Sequence, residues 1–166
     1  INRENGNYNG LIGNGSSSII KNIGLKTSYI SGKAVQGAIV AYGNKVLNSF
    51  VASDVTVNGV SRTGGLCGQY CQMKNSYNLA TVNNGSSDLS GGLCSGYCTI
   101  FNSYNAGSIT SKADSVGGIA GWESYLYNNY NLGSVTARGA VGGIMGSGSG
   151  NKVLENNYNS GTVPKY

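Results

Sequence analysis

The sequence predicts an all-β fold, a right-handed parallel β-solenoid of about six coils of about 25–28 residues each. Three observations carry this prediction. The segment 64–78 (GGLCGQYCQMKNSYN) recurs at 91–105 as GGLCSGYCTIFNSYN. Glycine is abundant, with 28 residues against one proline, and the 12 tyrosines recur at regular places. Self-similarity at a period of about 20–50 residues indicates stacked units, each too short to bury its own apolar face.

Four columns of equivalent residues run through the copies. The first is apolar and follows a glycine-rich start: Leu11, Ile39, Leu66, Leu93, Ile119 and Ile144. The second is also apolar: Ile19, Val46, Met73, Ile100, Leu126 and Leu154. The third is aromatic after its first member: Ile23, Phe50, Tyr77, Tyr104, Tyr130 and Tyr158. The fourth is β-branched: Val55, Val82, Ile109, Val135 and Val163. Each column is expected to form a ladder along the solenoid.

Each copy is expected to consist of short strands rather than helices. Asn, Gly and β-branched residues are poor helix formers, and glycine pairs recur from copy to copy. Alternation with a period of two predicts Met73, Asn75 and Tyr77 on the same side of a strand. The glycines are expected at corners, where close backbone approach is needed. The right hand follows from the rule for parallel crossovers.

The asparagines form a further column, two residues before the aromatic one. Its members are Asn48, Asn75, Asn102, Asn128 and Asn156. If these side chains point inward, each amide can bond to its equivalents in the neighbouring coils, as in stacked-strand assemblies. Alternatively, asparagine is present because it tolerates a turn conformation. We favour the stacked ladder, because the column alternates in phase with Met73 and Tyr77.

The repeat spans residues 1–166 as a single solenoid domain, and both ends of the sequence fall inside the pattern. Solenoids with bare ends expose strand edges and self-associate. We therefore expect that this is a fragment of a longer chain, or that neighbouring molecules cover the ends.

Four cysteines form two C-x₃-C units at equivalent places in adjacent copies: Cys67, Cys71, Cys94 and Cys98. Disulfides are favoured over a zinc site, because the common zinc spacing is C-x₂-C. Pairing of stacked equivalents is feasible at a strand spacing of about 4.8 Å. Pairing within each unit, Cys67 with Cys71 and Cys94 with Cys98, is slightly favoured as a staple across an exposed turn.

The composition argues against several functional classes. The chain has no histidine, which removes the histidine-based triads and the HExxH peptidase helix, and we expect no enzyme activity, cofactor or metal. The net charge is +5, but the basic residues are spread singly, so no nucleic-acid partner is expected. No run of about 18 apolar residues is present, so no membrane span is expected.

Exposed aromatic residues are the main candidates for ligand binding. They are Tyr70, Tyr97, Trp122, Tyr125 and Tyr127. Rings beside Asn and Ser can form a sugar-binding surface, with an apolar face and polar groups at its edge. Alternatively, the rings only cover neighbouring coils. A hydroxyl-rich face at 81–83, 108–110 and 134–136 offers a third possibility, a flat array that binds ice.

The later copies resemble a known repeat. The pattern Tyr-X-X-Gly-X-Val/Ile followed by Val-Gly-Gly-Ile-X-Gly occurs at 104–109 with 116–121 and at 130–135 with 141–146. It closely resembles the GLUG repeat, whose Gly-Leu-apolar-Gly core is matched at 10–13 and 65–68. GLUG repeats occur in secreted and surface-anchored bacterial proteins, including adhesin-like proteins and immunoglobulin A-cleaving metallopeptidases, where they are non-catalytic. The cysteines depart from the pattern, as do Ala38 and Ala41, which replace glycines.

The resemblance implies an extracellular or cell-surface location and a structural or adhesive role, as a stalk or adhesin segment. Its partners would be a host or environmental glycan, or a protein surface. Two alternatives stay open: a carbohydrate-binding module that uses the exposed tyrosines and tryptophan, and a fibre subunit that self-associates through open solenoid ends.

Overall fold

The chain winds as a parallel β-solenoid of about six coils, which confirms the predicted fold class. The computed structural model describes residues 1–3, 6–86 and 88–164. Within these ranges every strand pair is parallel and no helix is present. Each complete coil passes through four sheets in the same order, here named A, B, C and D.

Sheets A and B form two adjoining sides of the solenoid, and each has six strands. The strands of sheet A are Asn2–Arg3, Tyr29–Gly32, Thr56–Gly59, Thr81–Asn84, Ile109–Ser111 and Val135–Thr136. The strands of sheet B are Tyr8–Asn9, Val35–Gly37, Arg62–Gly64, Leu89–Gly91, Ser115–Gly117 and Ala140–Gly142.

Sheet C is the widest, because two rows of strands are joined in the first two coils by the long strands Ile12–Lys21 and Val40–Leu47. Its first row continues through Cys67–Gln69, Cys94–Gly96, Ala120–Trp122 and Met145–Ser147. Its second row continues through Gln72–Lys74, Thr99–Phe101, Tyr125–Tyr127 and Leu154–Glu155. Sheet D consists of Gly24–Leu25, Phe50–Val51, Tyr77–Asn78, Tyr104–Asn105, Tyr130–Asn131 and Tyr158–Asn159.

The core is a set of apolar ladders that run along the solenoid axis. Ile39, Leu66, Leu93 and Ile119 of the first column are fully buried, and each bonds through its backbone to the next coil. In the second column, the register pairs Met73 with both Val46 and Ile100. Full burial of such a side chain stabilises the fold by about 1.5–3 kcal/mol. Stacking thus supplies the core that a single coil lacks.

The first coil departs from the predicted alignment by one residue. Ile20, not Ile19, pairs with Val46, and Gly24, not Ile23, pairs with Phe50. Accordingly, Ile20 is 6% exposed and Ile19 is 61% exposed. The cause is an irregularity between Asn14 and Ser18, where the strand carries extra residues relative to its partner.

The fourth column is also corrected in one copy. Val57, not Val55, pairs with Val82 in sheet A. A turn at 53–54 lengthens the corner between sheets D and A in this coil, so a constant repeat length points to the wrong residue. In the following coil, the corner between sheets A and B is longer instead, because four residues separate the strand that ends at Asn84 from the strand that begins at Leu89. The register is then regained in sheet B, where Thr63 pairs with Ser90.

The predicted alternation through Asn75 is wrong. Met73, Ser76 and Asn78 are buried, whereas Asn75 is exposed and the Tyr77 ring is only partly covered. The reason is the left-handed backbone of Asn75, with φ of 51°, which bends the chain between sheets C and D and changes which side chains point inward.

Candidate functional surfaces

The asparagines of the predicted ladder lie on the outside of the corner between sheets C and D, not inside it. All five have positive φ and exposed side chains. Hydrogen bonds of 3.2 Å between side-chain amides nevertheless link Asn75 to Asn48, and link Asn128 to both Asn102 and Asn156. The turn conformation and the amide stacking therefore occur together, and the ladder faces solvent.

A second asparagine ladder, not predicted from the sequence, is buried at three of its four positions and exposed at Asn159. Its members are Asn78, Asn105, Asn131 and Asn159, three residues after those of the exposed ladder. Each side-chain amide donates to the oxygen of the next, at 2.9, 2.8 and 2.8 Å. The signal was available, because the asparagine that follows the tyrosine is the same in all four copies.

Buried polar side chains beside this ladder cap the backbone at the corner. The Ser76 hydroxyl accepts the Ser49 N–H at 3.1 Å, and the Ser103 hydroxyl accepts the Ser76 N–H at 3.1 Å. In the next coil, the side-chain oxygen of Asn129 accepts the Ser103 N–H at 3.0 Å. A buried backbone N–H left without a partner costs about 1–3 kcal/mol of folding free energy. These hydrogen bonds avoid that cost and so stabilise the corner.

The four cysteines form two disulfides, Cys67–Cys71 and Cys94–Cys98, each within one coil. Of the pairings left open by the sequence, the within-unit pairing is the one present. The Cα atoms are 6.6 and 6.7 Å apart. All four cysteines are buried, whereas the turn residues between them, Tyr70 and Tyr97, are exposed. Disulfides persist in oxidising compartments, which indicates a non-cytoplasmic environment.

Three of the sulfur atoms, those of Cys67, Cys94 and Cys98, lie within 4.8 Å of one another. Thiolates at this spacing are metal ligands, but sulfur in a disulfide is not. In the oxidised chain the cluster is therefore part of the core.

The pairing gives a sharp expectation for a tryptic map without reductant. Cleavage after Lys74 separates the two cysteine pairs, because peptide 63–74 carries the first and peptide 75–112 carries the second. We expect two separate peptides, each lighter by two hydrogens than its reduced form. Mass spectrometry of the digest measures this directly. A single species that contains both peptides would show cross-coil disulfides and contradict the within-coil pairing.

The aromatic column on sheet D forms a stack of rings on the outer surface. Phe50, Tyr77, Tyr104 and Tyr130 follow one another with centroid distances of 5.2, 4.8 and 4.8 Å and nearly parallel planes. Tyr158 continues the register beyond Tyr130. Burial in this stack, together with the neighbouring Tyr130 and Tyr77, raises the pKa of Tyr104.

The five rings considered for ligand binding fall into separate groups. Tyr70 and Tyr97 stack face to face at 4.9 Å, and Tyr42 continues this row at 5.2 Å from Tyr70. Tyr127 stacks on Phe101 at 4.8 Å. One face of each of Tyr70, Tyr97 and Tyr127 is therefore covered by a stacked ring, which reduces the ring surface that a sugar can contact.

Trp122 and Tyr125 lie apart from these stacks. Trp122 is half-buried in the first row of sheet C, in register with Gly96 and Ser147. Tyr125 is exposed, and the ammonium group of Lys152 lies over its ring at 5.2 Å from the centroid. This geometry is a cation–π contact, so the open face of Tyr125 already has a partner.

Glu123 is the carboxylate with the most contacts near these rings. The Ser149 hydroxyl and backbone N–H both donate to it, and the Lys152 ammonium is 3.8 Å away. The Ser149 hydroxyl, followed by the charge of Lys152, holds the pKa of Glu123 below its ordinary value of 4.5. Asp54 has a similarly lowered pKa because the Thr27 hydroxyl donates to it at 2.7 Å.

A lowered carboxyl pKa has a defined consequence for the pH dependence of stability. The contribution of Glu123 is present above about pH 4.5 and is lost as the pH falls through the lower folded-state value. In thermal unfolding, we expect Glu123→Gln to lower the midpoint at neutral pH and to match the unmodified chain in strong acid. The control is Glu155→Gln, an exposed residue with the same charge change. A Glu123→Gln effect that persists in strong acid would contradict the prediction.

Comparisons of the chain with protein-family models, with curated proteins and with solved structures find no match. The resemblance to the GLUG repeat therefore stays a prediction from the quoted motifs. Within the described ranges, no helix is long and apolar enough to cross a bilayer.

Proposed function

We propose that the chain is an extracellular structural and adhesive repeat module, a rigid segment of a bacterial surface or secreted protein. The observation that carries the proposal is the unbroken parallel stack, in which buried amide, hydroxyl and apolar ladders repeat from coil to coil. A stack of such coils is stiff along its axis because each coil is hydrogen-bonded to its neighbours.

The dimensions and the chemistry agree with a spacer role. Six coils at about 4.8 Å each give a rod about 29 Å long. Two disulfides, one in each of two adjacent coils, cross-link the centre of this rod. Disulfides persist in oxidising environments such as the cell exterior. The proposal includes no catalytic role: Asp54 and Glu123 lie in different corners, and each is bound to a hydroxyl.

A fibre subunit is the second candidate, and one observation favours it. In the last described coil, Leu154 and Val153 are exposed, whereas Leu126, the register partner of Leu154, is fully buried. A second molecule that stacks on this coil would bury both. Sedimentation across a concentration series would detect such stacking as concentration-dependent polymers, and Leu154→Lys would abolish it.

Surface labelling tests the proposed location. An antibody raised against residues 1–166 is expected to stain intact source cells or to detect the protein in the medium. The intact mass of the recovered protein is expected to be four hydrogens below that of the reduced form. Staining only after the cells are broken, together with four free thiols, would contradict the proposal.

A further inference from the structure

We propose that the corner between sheets A and B binds an extended acidic polysaccharide, which runs parallel to the solenoid axis. This inference rests on the proposed extracellular adhesive function and names the ligand class and the site. The site is a groove of about 640 Å³, here called the A–B groove. It is distinct from the aromatic residues considered in the sequence analysis.

The A–B groove runs along several coils. Its lining includes Asn58, Val60, Asn83, Thr110, Lys112 and Arg138. These residues come from four successive coils, which corresponds to about 14 Å along the axis. The length suits an oligosaccharide segment rather than a single small molecule.

The floor of the groove is a row of polar side chains in strict register. Asn83 pairs with Asn58 on one side and with Thr110 on the other, and Thr136 continues the row. Asn58 donates to the Tyr29 hydroxyl at 2.8 Å. Within the described ranges, neither Asn83 nor Thr110 makes a side-chain hydrogen bond, so their amide and hydroxyl groups are available to a ligand.

The spacing of this row favours a polymer over other polar ligands. Equivalent side chains recur once per coil, at about 4.8 Å. An extended β-linked glycan advances by a similar distance per sugar, so consecutive sugars can meet consecutive members of the row. Val60, which is 48% exposed, supplies an apolar contact for the carbon face of a sugar ring.

Two cations at one end of the groove select for an acidic sugar. Lys112 and Arg138 are exposed, and neither forms an ion pair within the described residues. The nearby Asp114 is exposed on the same corner but is bonded to neither of them. A guanidinium group binds a carboxylate through two parallel hydrogen bonds, which suits uronate groups along a glycan.

The groove is held in shape by a buried residue of its own lining, Asn84. The Asn84 amide donates to the carbonyl oxygens of Ser61 and Leu89, the latter at 3.2 Å, and its oxygen accepts the Ser86 N–H at 3.0 Å. These bonds fix the longer corner of the third coil, and Gly85 of that corner lines the groove. A preformed site loses less entropy when it binds.

Binding of defined oligosaccharides to residues 1–166 tests the proposal. The probe is a β-1,4-linked mannuronate hexamer, and cellohexaose is the neutral comparison of equal length. Calorimetry is expected to show tighter binding of the acidic hexamer. The double variant Lys112→Gln/Arg138→Gln should weaken it by about tenfold or more, and Thr110→Val by severalfold. The control Lys21→Gln/Lys74→Gln removes the same charge from sheet C and should leave the affinity within about twofold.

Each other outcome overturns the assignment. Absence of binding by the mannuronate hexamer would remove the site, and equal affinity for cellohexaose would remove its preference for acidic sugars. If both double variants lose affinity equally, or if inorganic polyphosphate binds as tightly as the mannuronate hexamer, binding is due to general charge attraction and not to a specific site. Surface labelling tests the proposed function separately from glycan binding. Labelled cells without glycan binding would support the structural module and contradict the groove as a glycan site. Glycan binding by a protein found inside cells would support the glycan site and contradict the extracellular function.

Discussion

Gly92→Ala is expected to lower the free energy of unfolding by more than about 4 kcal/mol, the range of the most severe single substitutions. A Cβ atom at this position would overlap the backbone oxygen of Gly118 in the next coil. It would also lie 2.6 Å from the side-chain nitrogen of Asn105. The Gly118 N–H is bonded to the Gly142 oxygen of the following coil, and the Asn105 amide is part of the buried ladder, so neither neighbour can move without further loss.

The matched control is Gly85→Ala in the longer corner of the third coil. Its nearest heavy atom would be the Gly59 oxygen at 3.8 Å, an ordinary contact distance. We expect this variant to unfold within about 0.5 kcal/mol of the unmodified chain. Guanidinium unfolding followed by circular dichroism measures both variants. If Gly92→Ala shifts the midpoint no more than Gly85→Ala does, close coil packing at the glycine pair is not the cause of stability there.

Asn105→Ala is expected to cost about 3 kcal/mol, because it interrupts the buried ladder at its centre. The Asn105 amide donates to the Asn131 oxygen at 2.8 Å and to the Gly107 oxygen at 2.9 Å. Its own oxygen accepts the Asn78 amide at 2.9 Å. Alanine removes all three bonds and leaves buried groups without their partners. The same unfolding measurement detects the loss as a lower midpoint with an unchanged slope.

The exposed ladder provides the comparison for this variant. Asn102 lies three residues earlier, with φ of 47°, and accepts the Asn128 amide at 3.2 Å in solvent. Asn102→Gly retains the left-handed backbone and removes the amide bond, and its expected cost is within about 0.5 kcal/mol. Equal effects of Asn105→Ala and Asn102→Gly would show that burial does not distinguish the two ladders.

The sequence predicts the fold because the repeat is regular where the coils are regular. In the third to fifth copies, the residues Leu66, Leu93 and Ile119 occupy equivalent places and are fully buried. The alignment fails where extra residues enter a strand or a corner. Neither the irregularity between Asn14 and Ser18 nor the turn at 53–54 changes the apolar pattern enough to be recognised.

The surfaces were harder to predict than the core. A single left-handed residue at Asn75 changes which side chains of the following segment point inward, and alternation alone cannot detect it. For this reason the ladder at Asn78 was not predicted, although an asparagine follows each tyrosine of the aromatic column. The A–B groove depends on the length of one corner and on which side chains lack partners, and both are properties of the folded chain.

The differing corner lengths have a consequence for how such a chain can change. Two extra residues enter one coil at 53–54. A longer connection between Asn84 and Leu89 restores the register in the next coil, where Thr63 pairs with Ser90. A length change is thus absorbed locally and does not propagate through the stack. Corners can therefore gain or lose residues independently, so evolution or engineering can diversify the outer surface, one loop at a time, on an unchanged scaffold.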